Sequence, residues 1–259
     1  MNESLYRFFL EPRLMGEGVV YAGIHLWYLI GSIVLISVTT ILLKRASHQT
    51  QHKVIRSILI FSITLEVLKR IRFFVVGIIL GQPLFENVMF LLPYHICYIN
   101  VILLPFAYFY DWKWAKEYLY TMSMFGAAIA VLYPYDWFTE PFLKYEIIHE
   151  MIYHLPLFFV PFFLIVSGNY RPSWRKVWQV GLGVVLCLPL AELGNTIFTN
   201  PSFNFMFTRV NPLPINFFGT AHHLFTFTVL FALLMAIYYG LIEAVRWWKR
   251  RQQNPTTTI

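Results

Sequence analysis

The sequence predicts an all-α fold, a polytopic membrane bundle of seven transmembrane helices with its N-terminus outside and its C-terminus cytoplasmic. Three observations predict it. Of 259 residues, 58% are hydrophobic and 13% are charged, whereas a soluble domain carries about a quarter charged residues to cover itself in water. Seven apolar stretches reach or approach the ~20 helical residues that cross a bilayer core. Lysine and arginine gather in every second connection between them.

The stretches run from Val19 to Leu43, Ile58 to Leu80, Leu91 to Tyr110, Tyr118 to Tyr133, Ile147 to Val166, Val177 to Phe198 and Phe217 to Ile242. In hydrocarbon every backbone N–H and C=O must be paired within the structure, so runs of this length are helices. The fourth is short and the second carries charges. One set of connections holds thirteen basic residues: Lys44, Arg45, Lys53, Arg56, Lys113, Lys116, Arg171, Arg175, Lys176, Arg246, Lys249, Arg250 and Arg251. The other set holds four, Arg7, Arg13, Lys144 and Arg209. The richer side is cytoplasmic.

Residues 1–18 place charges around Leu5, Phe8, Phe9 and Leu10 and read as an interfacial amphipathic segment, with no cleaved signal peptide. Residues 19–245 form the transmembrane domain, and 246–259 a basic, then polar, cytoplasmic tail. A net charge of +7 that sits in short clusters between apolar runs predicts orientation in a plasma membrane and argues against nucleic acid. Part of the 19% aromatic content belongs at the headgroup boundary. Cys97 and Cys187 fall inside apolar runs, so they form no disulfide framework, and Cys187 reads as structural.

Intramembrane ionisable groups are costly and face a cavity or a partner. His25, Cys97, His154, Glu192, His222 and His223 each lie five to seven residues inside the outer boundary of a span, about 8–10 Å deep at 1.5 Å per residue. His95 and Asn195 share this layer. One reading is a pocket open toward the outer leaflet, and the other is scattered interhelical hydrogen bonds.

Within the layer, His95 is two residues from Cys97 and points away from it on a helix, so a base for the thiol comes from elsewhere. His154 fits in depth, and Glu150, four residues earlier on the same face, can hold the imidazole. That gives a Cys97–His154–Glu150 arrangement suited to nucleophilic acyl transfer; a small buried hydrophobe is the plain alternative for Cys97. In the second span, Glu66 with Lys69 and Arg70 makes either a salt-bridge ladder or, with Arg72, a basic patch in excess over one carboxylate that binds a lipid phosphate. Thr199 to Asn216, with Pro201, Pro212, Pro214 and Arg209, is too apolar for a free loop and too broken for a helix. It reads as an outer lid or as an interfacial hairpin. Pro156, Pro161 and Pro189 fall within the fifth and sixth spans, where each is expected to kink its helix.

Three stretches together resemble the YwaF-like family of bacterial integral membrane proteins: Leu92-Pro93-Tyr94-His95-Ile96-Cys97; His154 with Tyr170-Arg171-Pro172 sixteen residues on; and Asn204-Phe205-Met206-Phe207 before Asn211-Pro212. The family has seven spans. The chain is similar, more distantly, to a eukaryotic transmembrane acyltransferase that remodels ether phospholipids. This resemblance implies an acyl-enzyme on Cys97 with His154 as general base.

The leading expectation is therefore a phospholipid acyltransferase needing no cofactor, with membrane phospholipids as partners and Lys69, Arg70 or Arg209 on the phosphate. A zinc-dependent lipid hydrolase using His25, His154, His222, His223 and Glu192 is a rival, although none of these residues belongs to an HxxxH or HExxH pair. A transporter, receptor or scaffold with an outward-facing polar cavity is another.

Overall fold

The computed structural model describes residues 8, 9, 21, 23–134, 144–198, 204–209 and 222–253. All regular structure among them is helical. Eight α-helices follow in order: α1 (Gly23–Arg45), α2 (His48–Ile79), α3 (Leu84–Met89), α4 (Ile96–Phe109), α5 (Lys116–Leu132), α6 (Tyr145–Val166), α7 (Val177–Ile197) and α8 (His223–Gln253). Short 3-10 turns at Trp174–Lys176 and Phe205–Phe207 precede α7 and α8. Seven of these helices correspond to the seven stretches of the sequence. Four are long and apolar enough to cross a membrane by length and composition: α1, α6, α7 with its preceding turn, and α8; α4 is a shorter apolar helix.

Boundaries differ where local chemistry outweighs hydropathy. The second helix begins ten residues before Ile58, because Ser47 caps it by accepting from Thr50 N at 3.2 Å. It ends at Gly81, whose φ of +70° is a left-handed conformation suited to glycine. α3, absent from the hydropathy pattern, packs so closely on α2 that a Cβ on Gly77 would lie 1.8 Å from Asn87 Oδ1. α4 starts at Ile96, with Leu92 to His95 outside the helix and His95 as its extended N-cap. α8 continues through residues 246–253, expected as tail; Arg251 lies 3.9 Å from the Trp247 ring centre, and Arg246 donates to the Pro172 carbonyl at 2.7 Å. The interfacial segment expected over 1–18 lies outside the described residues apart from Phe8 and Phe9.

The core gathers between α4, α5 and α6, where Val101, Leu104, Leu119, Ala127, Leu157, Val160 and Phe163 are buried. α1, α7 and α8 turn apolar faces outward, with Trp27, Ile33, Leu42, Leu186 and Ile237 more than half exposed. A water-facing surface of this kind would be unstable, and hydrocarbon is its natural solvent. Neighbouring helices alternate in direction. The near end, where α1 begins and α5 finishes, is tied by His25 Nε2 and the Val131 carbonyl at 3.0 Å. The far end is tied by Asn169 Nδ2 donating to Gln51 Oε1 at 3.3 Å.

Candidate functional site

Glu150 of α6 is the centre of a polar cluster toward the near end. Lys69 of α2 places Nζ 2.5 Å from Glu150 Oε1, and both side chains are under 10% exposed. The Tyr98 hydroxyl of α4 donates to the same oxygen at 3.0 Å. His149 Nδ1 lies 3.9 Å from Oε1 and His154 Nδ1 3.7 Å from Oε2. A lone charge at this depth carries a desolvation penalty of several kcal/mol, so the cation and carboxylate require each other. Lys69 also sits 3.9 Å from the Tyr98 ring centre and 5.6 Å from that of Tyr153, which adds cation–π attraction.

Cys97 is half-buried in the first turn of α4. Its thiol faces α5, where a Cβ on Gly126 would come within 3.2 Å of Sγ. The Tyr153 ring packs on His154 at 4.1 Å and on His149 at 5.2 Å. His154 Nδ1 lies 2.8 Å from the Glu150 carbonyl. A carbonyl only accepts, so Nδ1 carries the proton and Nε2 is the basic nitrogen.

Cys97, Glu150 and His154 thus share one neighbourhood, and Glu150 and His154 meet at the i, i+4 spacing read from the sequence. No hydrogen bond joins Cys97 to His154 among the described residues. Tyr98, His149 and Tyr153 escaped the sequence reading. The signal for two of them was on α6 itself, where His149–Tyr153 and Glu150–His154 are adjacent i, i+4 pairs on one face.

The charges of α2 settle differently from the expected basic excess. Arg70 pairs with Glu66 as its i, i+4 spacing suggests and donates to the Leu91 carbonyl at 2.5 Å. Lys69, however, turns to Glu150, and Arg72 lies 2.8 Å from Glu146. Two carboxylates of α6 therefore neutralise the surplus that α2 shows alone.

The remaining layer residues serve other contacts. His25 is buried, receives the Tyr21 N–H at Nδ1 at 2.8 Å and meets the last turn of α5. Asn195 of α7 clamps the segment 204–209: Oδ1 accepts from Phe205 N at 2.8 Å, and Nδ2 donates to the Phe205 carbonyl at 3.1 Å and to Thr208 Oγ1 at 2.8 Å. The Thr208 hydroxyl donates to Glu192. His95 Nδ1 accepts from Met206 N at 3.4 Å, and His223 Nε2 lies 3.2 Å from the Phe207 carbonyl. This part of the expected lid is therefore ordered against α4, α7 and α8; residues 199–203 and 210–216 lie outside the described residues. His222 and Arg209 are exposed. No group of three or more metal-ligating side chains occurs among the described residues, and His25, His154 and His223 each bond to a different backbone carbonyl.

Residues 20–243 match the TMEM164 family. No curated protein and no solved structure matches the chain.

Proposed function

The chain belongs to the TMEM164 family of transmembrane proteins, and we propose that it is a membrane acyltransferase that remodels phospholipid acyl chains through a thioester on Cys97. The observation that supports this reading is a half-buried thiol in the first turn of α4, in the same cluster as a histidine whose Nδ1–H is fixed on a carbonyl and a carboxylate neutralised by Lys69. Tyr153 packs its ring on the imidazole at 4.1 Å, and a hydrogen bond between base and nucleophile forms or tightens in the substrate complex.

In this reading His154 Nε2 takes the thiol proton and the thiolate adds to the ester carbonyl of a phospholipid. The C–S bond forms, the C–O bond to glycerol breaks, and the imidazolium returns the proton to the leaving oxygen. The hydroxyl of an acceptor lysophospholipid then attacks the thioester by the reverse course. Exposed Arg209 at the near end meets the headgroup phosphate, since Lys69 and Arg70 already answer Glu150 and Glu66. All seven long helices cross the bilayer. The near end faces outside, and the far end, with its thirteen basic residues, faces the cytoplasm of a cell whose plasma membrane holds the protein. The resemblance to the YwaF-like bacterial family accords with this arrangement.

A second reading, a transporter or ligand-binding protein with a polar cavity, draws on the buried Lys69–Glu150 pair, because ion pairs inside spans often line ligand or ion paths. One experiment separates the two. The protein in nanodiscs receives phospholipid with a radiolabelled acyl chain, followed by a test for hydroxylamine-sensitive label. Label on the wild type that is absent from Cys97→Ala supports acyl transfer. An unlabelled wild type with every common phospholipid overturns it and favours the second reading.

A further inference from the structure

Asn100 of α4 is fully buried, and neither Nδ2 nor Oδ1 has a hydrogen-bond partner. Ser123 of α5 is equally buried, and its Oγ is likewise unmet. Protein interiors rarely leave such groups unanswered, least of all inside hydrocarbon, where no bulk water reaches them. The unmet pair lies in a particular place. Asn100 follows Cys97 by three residues, which stacks the two on one helical face. Across the interface, Cys97 Sγ faces Gly126 of α5, and Ser123 precedes that glycine by three residues. α4 and α5 run antiparallel across a short turn, so both polar groups sit one turn from the thiol in the same direction, toward the far end.

We infer that Asn100 Nδ2 and Ser123 Oγ form the oxyanion site of the Cys97 reaction and receive the carbonyl oxygen of the acyl group. The inference rests on the acyl-transfer reading. As the thiolate adds, the carbonyl oxygen becomes an anion, and the groups that stabilise it must be donors fixed in place beforehand. A side-chain amide and a hydroxyl on two packed helices meet both needs. The glycine at 126 fits the same geometry. A Cβ there would press on the sulfur at 3.2 Å, and its absence leaves room beside Sγ for the acyl carbon. Ser123, Asn100 and Gly126 thus explain one another: two donors below the thiol and a gap beside it.

The test uses the full chain in nanodiscs, with radiolabelled phosphatidylcholine as acyl donor and iodoacetamide as a second probe. Iodoacetamide forms its C–S bond by displacing iodide and builds no oxyanion, so it reports access to Cys97 and its thiolate alone, with Cys97→Ala as the blank. Single-turnover acylation is expected to fall about 100–1000-fold in Asn100→Leu and in Asn100→Asp, on the scale of a lost oxyanion donor. In Ser123→Ala it is expected to fall about 10-fold. Alkylation keeps its wild-type rate in Asn100→Leu and Ser123→Ala. Asn100→Leu also raises the melting temperature, because it replaces an unmet buried amide with an apolar group. Wild-type acylation in Asn100→Leu overturns the inference and leaves the Cys97 reading standing. Acylation and alkylation that fall together, with a lowered melting temperature, make Asn100 a structural residue and overturn it too. A wild type that takes no label removes the acyl-transfer reading and this inference with it.

Discussion

Two of the buried carboxylates in this bundle, Glu150 and Glu117, are satisfied in opposite ways. Glu150 toward the near end faces a cation, Lys69, together with Tyr98 and two histidines. Glu117 at the far end, 1% exposed, faces neutral donors. The Tyr170 hydroxyl reaches it at 2.6 Å, the Ser173 N–H at 2.9 Å and the Tyr239 hydroxyl at 2.6 Å. No ion pair to Glu117 occurs among the described residues. Its donors come from the α6–α7 connection and from α8, so this carboxylate bolts two parts of the chain to α5. Neutral hydroxyls and an amide do not change charge near pH 7, which suits a fastening. The near-end cluster instead sets a cation against a carboxylate, with ionisable side chains from α2, α4 and α6 around them.

The largest expected effect comes from breaking the charged cluster. Lys69→Met leaves Glu150 buried with its charge uncompensated and is expected to cost about 3–5 kcal/mol, read as a lowered melting temperature in detergent. Lys69→Met with Glu150→Gln removes both charges and should regain most of that loss. If the double variant were no more stable than the single one, Lys69 and Glu150 would not be each other's main partner and the contrast would collapse.

Next in size is the fastening. Glu117→Gln keeps one acceptor but loses the charge that strengthens three hydrogen bonds, and an expected cost of about 2 kcal/mol follows from the scale of charge-assisted bonds. Limited proteolysis in the connection from Ser167 to Ser173 should speed up, while alkylation of Cys97 keeps its rate. A variant that changed Cys97 reactivity as strongly as it loosened the far end would show that the two regions are one coupled unit.

How far this division was legible in the sequence follows from what each contact spans. Hydropathy located seven helices because the apolar length needed to cross hydrocarbon is written locally. The Glu66–Arg70 and Glu150–His154 pairs were legible for the same reason, being one turn apart. Lys69–Glu150 spans 81 residues, and Glu117–Tyr239 spans 122. Such partners depend on how each helix is rotated against its neighbours, which packing decides. The surplus of positive charge on α2 was therefore real within its own helix and vanished once α6 faced it. His95 shows the opposite failure: it was read as a helical residue turned away from Cys97, yet it lies outside the helix as the extended N-cap of α4, where it accepts from the backbone of Met206.

A smaller effect sharpens the contrast through pH. Burial, and then the hydrogen bond to Glu117, raise the Tyr170 hydroxyl well above its ordinary value near 10. A group whose folded value is raised contributes its full stability below the unfolded value and loses it as pH rises. The far-end fastening should therefore weaken above about pH 10. Tyr170→Phe is expected to cost about 1 kcal/mol at neutral pH and to flatten the melting curve's dependence on alkaline pH. An unchanged alkaline slope in that variant would assign the slope to other groups and leave Tyr170 a minor part of the fastening.

The smallest effect tests whether charge contributes at the far end at all. Arg246 and Glu243 sit three residues apart on α8 with 2.5 Å between Nη1 and Oε1, and Glu243 is nearly half exposed. Helix-surface pairs of this kind contribute about 0.2–0.5 kcal/mol, so Glu243→Ala should barely move the melting temperature. Arg246 has a second role, because Nη2 donates to the Pro172 carbonyl at 2.7 Å and so ties α8 to the α6–α7 connection that also serves Glu117. Arg246→Ala should then cost more than Glu243→Ala, by about one hydrogen bond, or ~1 kcal/mol. Equal losses in the two variants would mean that the ion pair carries the attachment. The far end would then depend on charge as the near end does, and the division between a neutral fastening and a charged cluster would no longer describe this protein.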